Sequence, residues 1–586
     1  METTKMLWAV LALFRIVWCL FPQSGYIHPD EFFQSPEVMA GDILDLQVYR
    51  PWEFLSNFPC RTVFFPLMTS GTTFCIMKSL THLGFLNSFI NSYNLLVLPR
   101  LYLTLFSFIL DYSIYQVAPV WAADRWKAMV LLAGSYVTLV FYTRTFSNAI
   151  EGLLFALLLM MISSEAPETN LARKSISNKT NYSSLIGIIL VAGCFNRPTF
   201  LAFAVVPVLY WAAKNTISLY RPTTFSLKVL KCVPSATATA LIFIAVDTVY
   251  FTYEAPVDHL PLDKVNQPQD TQNVVLTPFN FLKYNFNPHN LAQHGSHSRS
   301  THFVINGAML FGVLHLSAAV AAGKVLKRAL HRLLESKHSK AASERSDVLL
   351  QSRHVLLLFY FVPLALLSLF PHQEPRFLIP LILPLVLWSA PQKQTIQWKS
   401  ILVLFNLLGA LVFGCLHQGG LIPCLSQLEQ VIHTKEPLNN HSHYTLLFTH
   451  TYMPPRYLLN IKNQETSVDV IDMAGTEEKQ FCQKVGEITE DISSRNSDTT
   501  KNRIHHFYII TPGTFKPELE NCGFVVKNET MFFPHLSMED PPRITVLFSD
   551  KWMSQLGLYI LELELHSLPV HRGHVHGLMQ TGQQLY

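Results

Sequence analysis

Charge is what this sequence has least of. Only 14% of its 586 residues are charged, against about 25% in a soluble globular chain, which excludes an ordinary water-facing surface over most of the length. The formal charge is +4 and the basic residues are scattered between apolar runs, so no basic domain of the kind that grips nucleic acid is present. The nine cysteines show no CxxC spacing, which argues against a zinc or dithiol redox site. No repeat of fixed period and no low-complexity tract occurs, and that weighs against a transporter built from internal pseudo-symmetry.

What is there is apolar. Hydrophobic residues make up 49% of the chain, and runs mostly of roughly 17–24 residues, about the length that crosses a ~30 Å hydrocarbon layer, recur through the first 416 positions. They lie at 6–22, 63–80, 95–117, 126–143, 148–163, 184–213, 229–251, 303–323, 354–371, 377–390 and 400–416. The first follows Lys5, but bulky residues near its end make a poor cleavage site, so it reads as an uncleaved span. Arg15 within it either pairs with a neighbouring helix or belongs to a polar pathway. The run 184–213 is broken by Asn196-Arg197-Pro198-Thr199 and is either one kinked span or two half-spans meeting at a buried polar point.

Taken as one span, that run gives about eleven crossings. Parity then puts loops 23–62, 252–302 and 372–376 and the tail on one side, with the basic stretches 214–231 and 324–353 on the other. The positive-inside rule makes the basic side cytosolic. The polar loops are then lumenal, as is 164–183 with its sequons at Asn178 and Asn181. From His417 the composition changes. Segments 444–448, 468–471, 506–510 and 544–548 alternate like strands, so 417–586 reads as a lumenal α/β domain following a transmembrane domain of residues 1–416. Within the tail Asn528 is a further possible glycan acceptor, and 552–565 reads as a core or interfacial element rather than a span. Cys60, Cys424, Cys482 and Cys522 are placed to form disulfides in an oxidising lumen, in a pairing the sequence leaves open.

Two polar clusters carry the chemistry. Just beyond the first span stands His28-Pro29-Asp30-Glu31. Pro29 fixes the local backbone so that the two carboxylates need not point the same way. A carboxylate at the membrane surface suits the abstraction of a proton from an attacking sugar hydroxyl, and Asp30 is the candidate base, with Glu31 in support. The competing reading is that both merely cap a short helix. The second cluster, His372-Gln373-Glu374-Pro375-Arg376, faces the same side by parity. Its arginine and histidine suit a lipid-linked phosphate, or the arginine is an interfacial anchor. Arg197, and Lys283 and His294 in a histidine-rich loop with Asn280, Tyr284, His289, His297 and His302, are further candidates for binding substrate. The irregular histidine spacing argues against a metal. Polar residues from Tyr142 to Glu151 read as a structural cluster satisfied internally.

At these motifs the chain resembles the GT-C mannosyltransferases of the endoplasmic reticulum that use dolichyl-phosphate mannose, the group that includes the asparagine-glycan and GPI-anchor enzymes. The likeness runs through 28–42, 135–159, 194–211 and 372–388. It implies a polytopic, mainly α-helical GT-C fold and a lumenal active site in the endoplasmic reticulum membrane. Within the group it points to the branch that adds a fourth mannose, in α1,2 linkage, to the third mannose of a GPI precursor glycolipid. It further implies no metal or other cofactor, Asp30 at the catalytic centre, and His28, His372, Glu374 and Arg376 near the substrates. Opposite anomeric configurations of donor and product would make the transfer a single inverting displacement. Another branch of the group, a transporter or scramblase, and a non-catalytic subunit are the alternatives.

Overall fold

The computed structural model describes residues 2–21, 23–84, 89–164, 182–214, 222–254, 274–287, 289–290, 295, 297–335, 353–392, 395–434, 442–463, 467–498 and 504–564. Asn178, Asn181 and His294 lie outside the described residues. Five helices there are long and apolar enough to cross a membrane: Glu2–Leu20, Ser92–Trp121, Ser147–Ser164, Lys228–Thr252 and Ile396–Leu416. Shorter apolar helices accompany them at Ser183–Asn196, Phe200–Ala213, His302–Phe311, Val355–Leu367 and Pro375–Ser389. Helix Ile396–Leu411 turns Ile401, Val403, Leu404, Leu407, Leu408 and Leu411 outward, each more than half exposed. Such a face is at home only in lipid, and the chain is a multi-pass membrane protein.

Several runs depart from single spans. The run 126–143 is two short helices, Arg125–Ala133, buried on one side, and Tyr136–Val140, buried throughout. Gly134 closes the first, and the Tyr136 N–H that opens the second donates to Asn406 Oδ1 at 2.8 Å. The run 63–80 is helical from Phe64 to His82 through a π turn at Leu67–Gly71, and does not reach the apolarity of a span. The run 184–213 is two helices separated at Arg197, whose extended backbone (φ −155°, ψ 125°) is what a following proline imposes. Each of the two is shorter than the ~20 residues of an upright span. Arg15 pairs with Asp111 on the neighbouring helix, Nη1 to Oδ2 at 2.7 Å, and both side chains are buried.

The tail forms a five-stranded sheet from β1 (Ser442–Phe448), β2 (Val468–Asp472), β3 (Ile504–Pro512), β4 (Val526–Phe532) and β5 (Leu558–Leu563), in the order β2-β1-β3-β5-β4. The first three are parallel to one another, and β5 runs antiparallel to both β3 and β4. The alternating segment 544–548 is not a strand. It follows Pro541-Pro542 and coils into a helix, Ile544–Leu547, because the place beside β3 is taken by β5. That strand comes from the apolar stretch 552–565 and is buried along its whole length. Asn528 sits exposed on the edge strand β4. A disulfide joins Cys482 to Cys522, whereas Cys60 and Cys424 are free and buried.

The expected boundary at 416/417 lies inside continuous packing. One apolar cluster contains Tyr26, Phe32 and Val38 of the first loop together with Leu421, Tyr444, Leu458 and Leu558 of the tail. Buried Glu37 ties the two, since its carboxylate accepts backbone N–H groups from Tyr49 (2.9 Å), Arg456 (3.1 Å) and Tyr457 (3.4 Å). Burial pushes that carboxyl up to about 7, against the pull of these N–H donors and the Arg456 charge.

Candidate active site

The first loop leaves its helix in tight backbone contact with residues 413–417. The Gly25 N–H donates to the Gly414 carbonyl (2.9 Å) and the Tyr26 N–H to the His417 carbonyl (2.8 Å). A Cβ at position 25 would stand 2.5 Å from the Phe413 carbonyl oxygen, so only glycine fits. Pro29 then starts a single helical turn, Asp30–Phe33, with no side-chain cap. The two acidic residues that follow it point to different partners.

Asp30 turns to the loop 346 residues away in sequence, where Arg376 Nη1 donates to its Oδ2. Arg376 Nε donates to Glu374 Oε2 in turn, so one guanidinium bridges two carboxylates. His28 closes the ring from the other side, with Nδ1 3.3 Å from Asp30 Oδ1 and Nε2 3.3 Å from Glu374 Oε1. His372 Nε2 lies 2.9 Å from the same Glu374 oxygen. Burial raises the Asp30 and Glu374 carboxyls, but the Arg376 charge and then His28 overrule it and hold both below the usual carboxylate range. His28 is lowered by burial and by Arg376, and the facing Glu374 and Asp30 more than offset this, so it titrates above its ordinary value. Side chains of Asp30 and Glu374 remain 22% and 16% exposed, so a substrate can reach them.

Glu31 is fully buried. Its Oε1 accepts from Arg100 Nε at 2.8 Å and lies 2.6 Å from Arg100 Nη2, and its Oε2 accepts from Arg144 Nη1 at 2.8 Å. Its carbonyl accepts from Thr145 Oγ1 at 2.7 Å. With both oxygens engaged by buried guanidinium groups, Glu31 is out of reach of substrate and anchors the turn that presents Asp30.

Sequence reasoning missed the residues that join Asp30 to the rest of the helical domain. Gln34 Nε2 donates to Asp30 Oδ2 (2.5 Å) and to Glu53 Oε2 (3.0 Å), and Gln34 Oε1 accepts from Ser147 Oγ (3.0 Å). Ser147 Oγ accepts from Arg197 Nη1 at 3.0 Å, and Glu151 accepts from Thr199 Oγ1 at 2.8 Å. The buried polar point at 196–199 thus meets the start of helix Ser147–Ser164 and, through Ser147 and Gln34, reaches Asp30. The available signal was Gln34, one helical turn after Asp30 and so on its face. The Tyr142–Glu151 cluster is bonded outward to the first loop and to 196–199, as well as internally between Asn148 and Glu151.

Other candidates are placed less centrally. Lys283 is exposed near the end of helix Thr277–Asn285, where Tyr284 packs at a tilt against Trp52, ring centroids 4.3 Å apart, and Asn280 Nδ2 donates to the Pro59 carbonyl at 2.9 Å. That helix covers the first loop without joining Lys283 to the Arg376 network. The His302 N–H donates to Gln373 Oε1 (2.9 Å), and His297 Nδ1 accepts the Gln373 N–H (3.3 Å), so both histidines brace the second motif. Among the described residues no group of three or more His, Cys, Asp or Glu is arranged to hold a metal ion.

A sequence model of the Alg9-like mannosyltransferase family matches residues 6–459, which carry both motifs. The chain belongs to that family. As a member it is a glycosyltransferase, not a transporter. Among similar family proteins, GPI alpha-1,2-mannosyltransferase 4 of Homo sapiens is 49% identical over 561 residues, covering 95% of this chain and 93% of the human one. GPI mannosyltransferase 4 of Drosophila melanogaster is 29% identical, with 91% and 86% covered, and that of Saccharomyces cerevisiae is 30% identical, with 77% and 76% covered. Among solved structures, ArnT from Cupriavidus metallidurans bound to undecaprenyl phosphate aligns over 95% of this chain and 97% of that one, at 9% identity and a TM-score of 0.42.

Proposed function

We propose that this chain acts in GPI-anchor biosynthesis as an α1,2-mannosyltransferase of GT-C type. In this reading it moves mannose from dolichyl-phosphate mannose to the third mannose of the GPI precursor, in the lumen of the endoplasmic reticulum and without a metal ion. The observation that carries the reading is Asp30 and Glu374 sharing the single guanidinium of Arg376 in a partly open site. The human relative, a GPI alpha-1,2-mannosyltransferase, supports the linkage and the pathway.

The chemistry follows from charge. At rest Arg376 keeps Asp30 ionised but holds it too tightly to be a good base. A donor phosphate arriving at Arg376 competes for the same N–H groups, since guanidinium binds phosphate in a fork. Asp30, relieved of that partner, regains basicity and takes the proton of the attacking 2-hydroxyl as the new C1–O bond forms. The C1–O bond to phosphate breaks in the same displacement, with inversion, and dolichyl phosphate leaves with the bonding pair. Glu374 and His28 keep the site's charge balanced while Arg376 is engaged. The Cys482–Cys522 disulfide supports a lumenal tail.

The test is mannosyl transfer by purified protein from dolichyl-phosphate mannose to GPI precursors bearing two or three mannoses, with the product digested by an α1,2-specific mannosidase. The reading expects extension of the three-mannose acceptor alone, reversed by the mannosidase and unaffected by a chelator. Transfer to the two-mannose precursor would move the chain to the neighbouring branch. Activity abolished by chelation would overturn the metal-free mechanism.

A further inference from the structure

A cavity of about 530 Å³ lies at the far end of the helices that carry the second motif. This is within the ~300–1,000 Å³ typical of ligand sites. Helix Val355–Leu367 begins beside the cavity at Arg353 and runs toward the 372–376 loop, and helix Pro375–Ser389 returns from that loop to Trp388 in the cavity wall. With 13 residues in the first helix, at ~1.5 Å per residue, the two sites stand about 20 Å apart.

The wall has a polar end and an apolar side. Lys324 and Arg353 supply positive charge, with no carboxylate among the described lining residues. Arg353 stacks over Trp388, its guanidinium carbon 4.7 Å from the ring centroid, and its Nη2 donates to the Trp388 carbonyl at 3.0 Å. Trp388 is 7% exposed, and among the described residues its indole N–H and Arg353 Nε have no hydrogen-bond partner; both atoms lie beneath the cavity surface. Lys324 and Arg353 therefore make this end of the cavity attractive to an anion, since a guanidinium and an ammonium both form charge-assisted hydrogen bonds to phosphate oxygens. Along the other wall Leu316 and Val320 of helix Val313–Glu335 are 57% and 58% exposed, an apolar strip continuous with the surface that faces lipid.

We propose that this cavity binds the phosphate of an anionic glycerophospholipid, held by Lys324 and Arg353, with an acyl chain along Leu316 and Val320. Charge complementarity selects the anionic headgroup, and the adjoining apolar strip selects a lipid over a soluble anion. The basic end of helix Val313–Glu335, with exposed Lys327 and Arg328, matches the attraction of such segments to an anionic leaflet. A lipid seated there would pin together the ends of the two helices that position His372 and Arg376.

Native mass spectrometry of the purified full-length chain tests this, after exchange into detergent containing phosphatidylinositol, phosphatidylcholine or inorganic phosphate. The proposal expects retained phosphatidylinositol, with a higher thermal midpoint, and neither effect from phosphatidylcholine or phosphate. Lys324→Gln with Arg353→Gln should weaken retention about tenfold or more, the loss expected when charge-assisted phosphate contacts go. Lys324 is exposed, so Lys324→Gln by itself provides a variant that folds and should also bind less. Equal retention of the two lipids, or retention unchanged in these variants, would overturn the proposal. A thermal shift from inorganic phosphate equal to that from phosphatidylinositol would overturn the lipid assignment.

Discussion

Replacing Glu31 by Gln should damage the fold far more than the chemistry. The carboxylate is fully buried and neutralises two guanidinium groups, Arg100 and Arg144, that are themselves 2% and 0% exposed. Gln23 also contacts both, through its carbonyl to Arg100 at 3.0 Å and its Oε1 to Arg144 at 3.3 Å, but carries no charge. Breaking a buried ion pair by removing one partner costs about 3–5 kcal/mol. That is a large share of the ~5–15 kcal/mol that holds a typical native domain together. The assay is the fraction surviving as monodisperse protein after a heat step, with the mannosyl-transfer rate expressed per surviving molecule. Glu31→Gln should lose heat resistance steeply while turnover per folded molecule stays close to wild type. The double variant Glu31→Gln/Arg144→Met should recover part of the loss, because it removes one of the two uncompensated charges. Wild-type heat resistance with abolished turnover would refute the reasoning and put Glu31 in the reaction itself.

Further expectations follow from the same contacts. Arg376→Lys keeps the charge but loses the planar fork that reaches Asp30 and Glu374 together, so turnover should fall and the donor KM rise; an unchanged donor KM would separate Arg376 from the phosphate. His28 titrates above its ordinary 6.5, so its stabilising contribution is complete below that pH and is lost as pH rises through the raised folded value. The thermal midpoint of wild type, less that of His28→Gln, should therefore shrink from pH 6 toward pH 9, roughly, and a flat difference would contradict the network. Removing the disulfide with Cys482→Ser/Cys522→Ser should cost about 2–4 kcal/mol of stability with little change in turnover, read by proteolysis of the tail. If the tail is lumenal, the exposed Asn528 is open to glycosylation, and Asn528→Gln should reduce an endoglycosidase-sensitive mass shift by one glycan.

The two motifs were legible because each concentrates polar groups next to a long apolar run, where such groups are costly unless they serve a purpose. Parity placed them on one face, and the fold brings Asp30 to Arg376. The different fates of Asp30 and Glu31 were not legible, since adjacent residues on a single helical turn diverge by about 100° and only the positions of Arg100 and Arg144 decide which of them is buried. The Gln34–Ser147–Arg197 chain joins three segments far apart in sequence, so local pattern could not show it. In the tail three of four alternating segments became strands. The fourth, 544–548, did not, because β propensity expresses itself only where a neighbouring strand is free to pair. The run 126–143 looked like a span by composition, and Gly134-Ser135 divides it into two short helices whose junction is held by Asn406, more than 250 residues away in sequence.

The central claim is that Asp30 takes the acceptor proton, and the most direct measurement is single-turnover mannosyl transfer by Asp30→Asn and Glu374→Gln beside wild type, at matched amounts of folded protein. Loss of a positioned general base costs about 10²–10⁴ in rate, so Asp30→Asn should fall by that much while still binding donor. Glu374→Gln should lose less, since its carboxylate balances charge at Arg376 rather than receiving the proton. Full activity in Asp30→Asn, or a deeper loss in Glu374→Gln than in Asp30→Asn, would contradict the account.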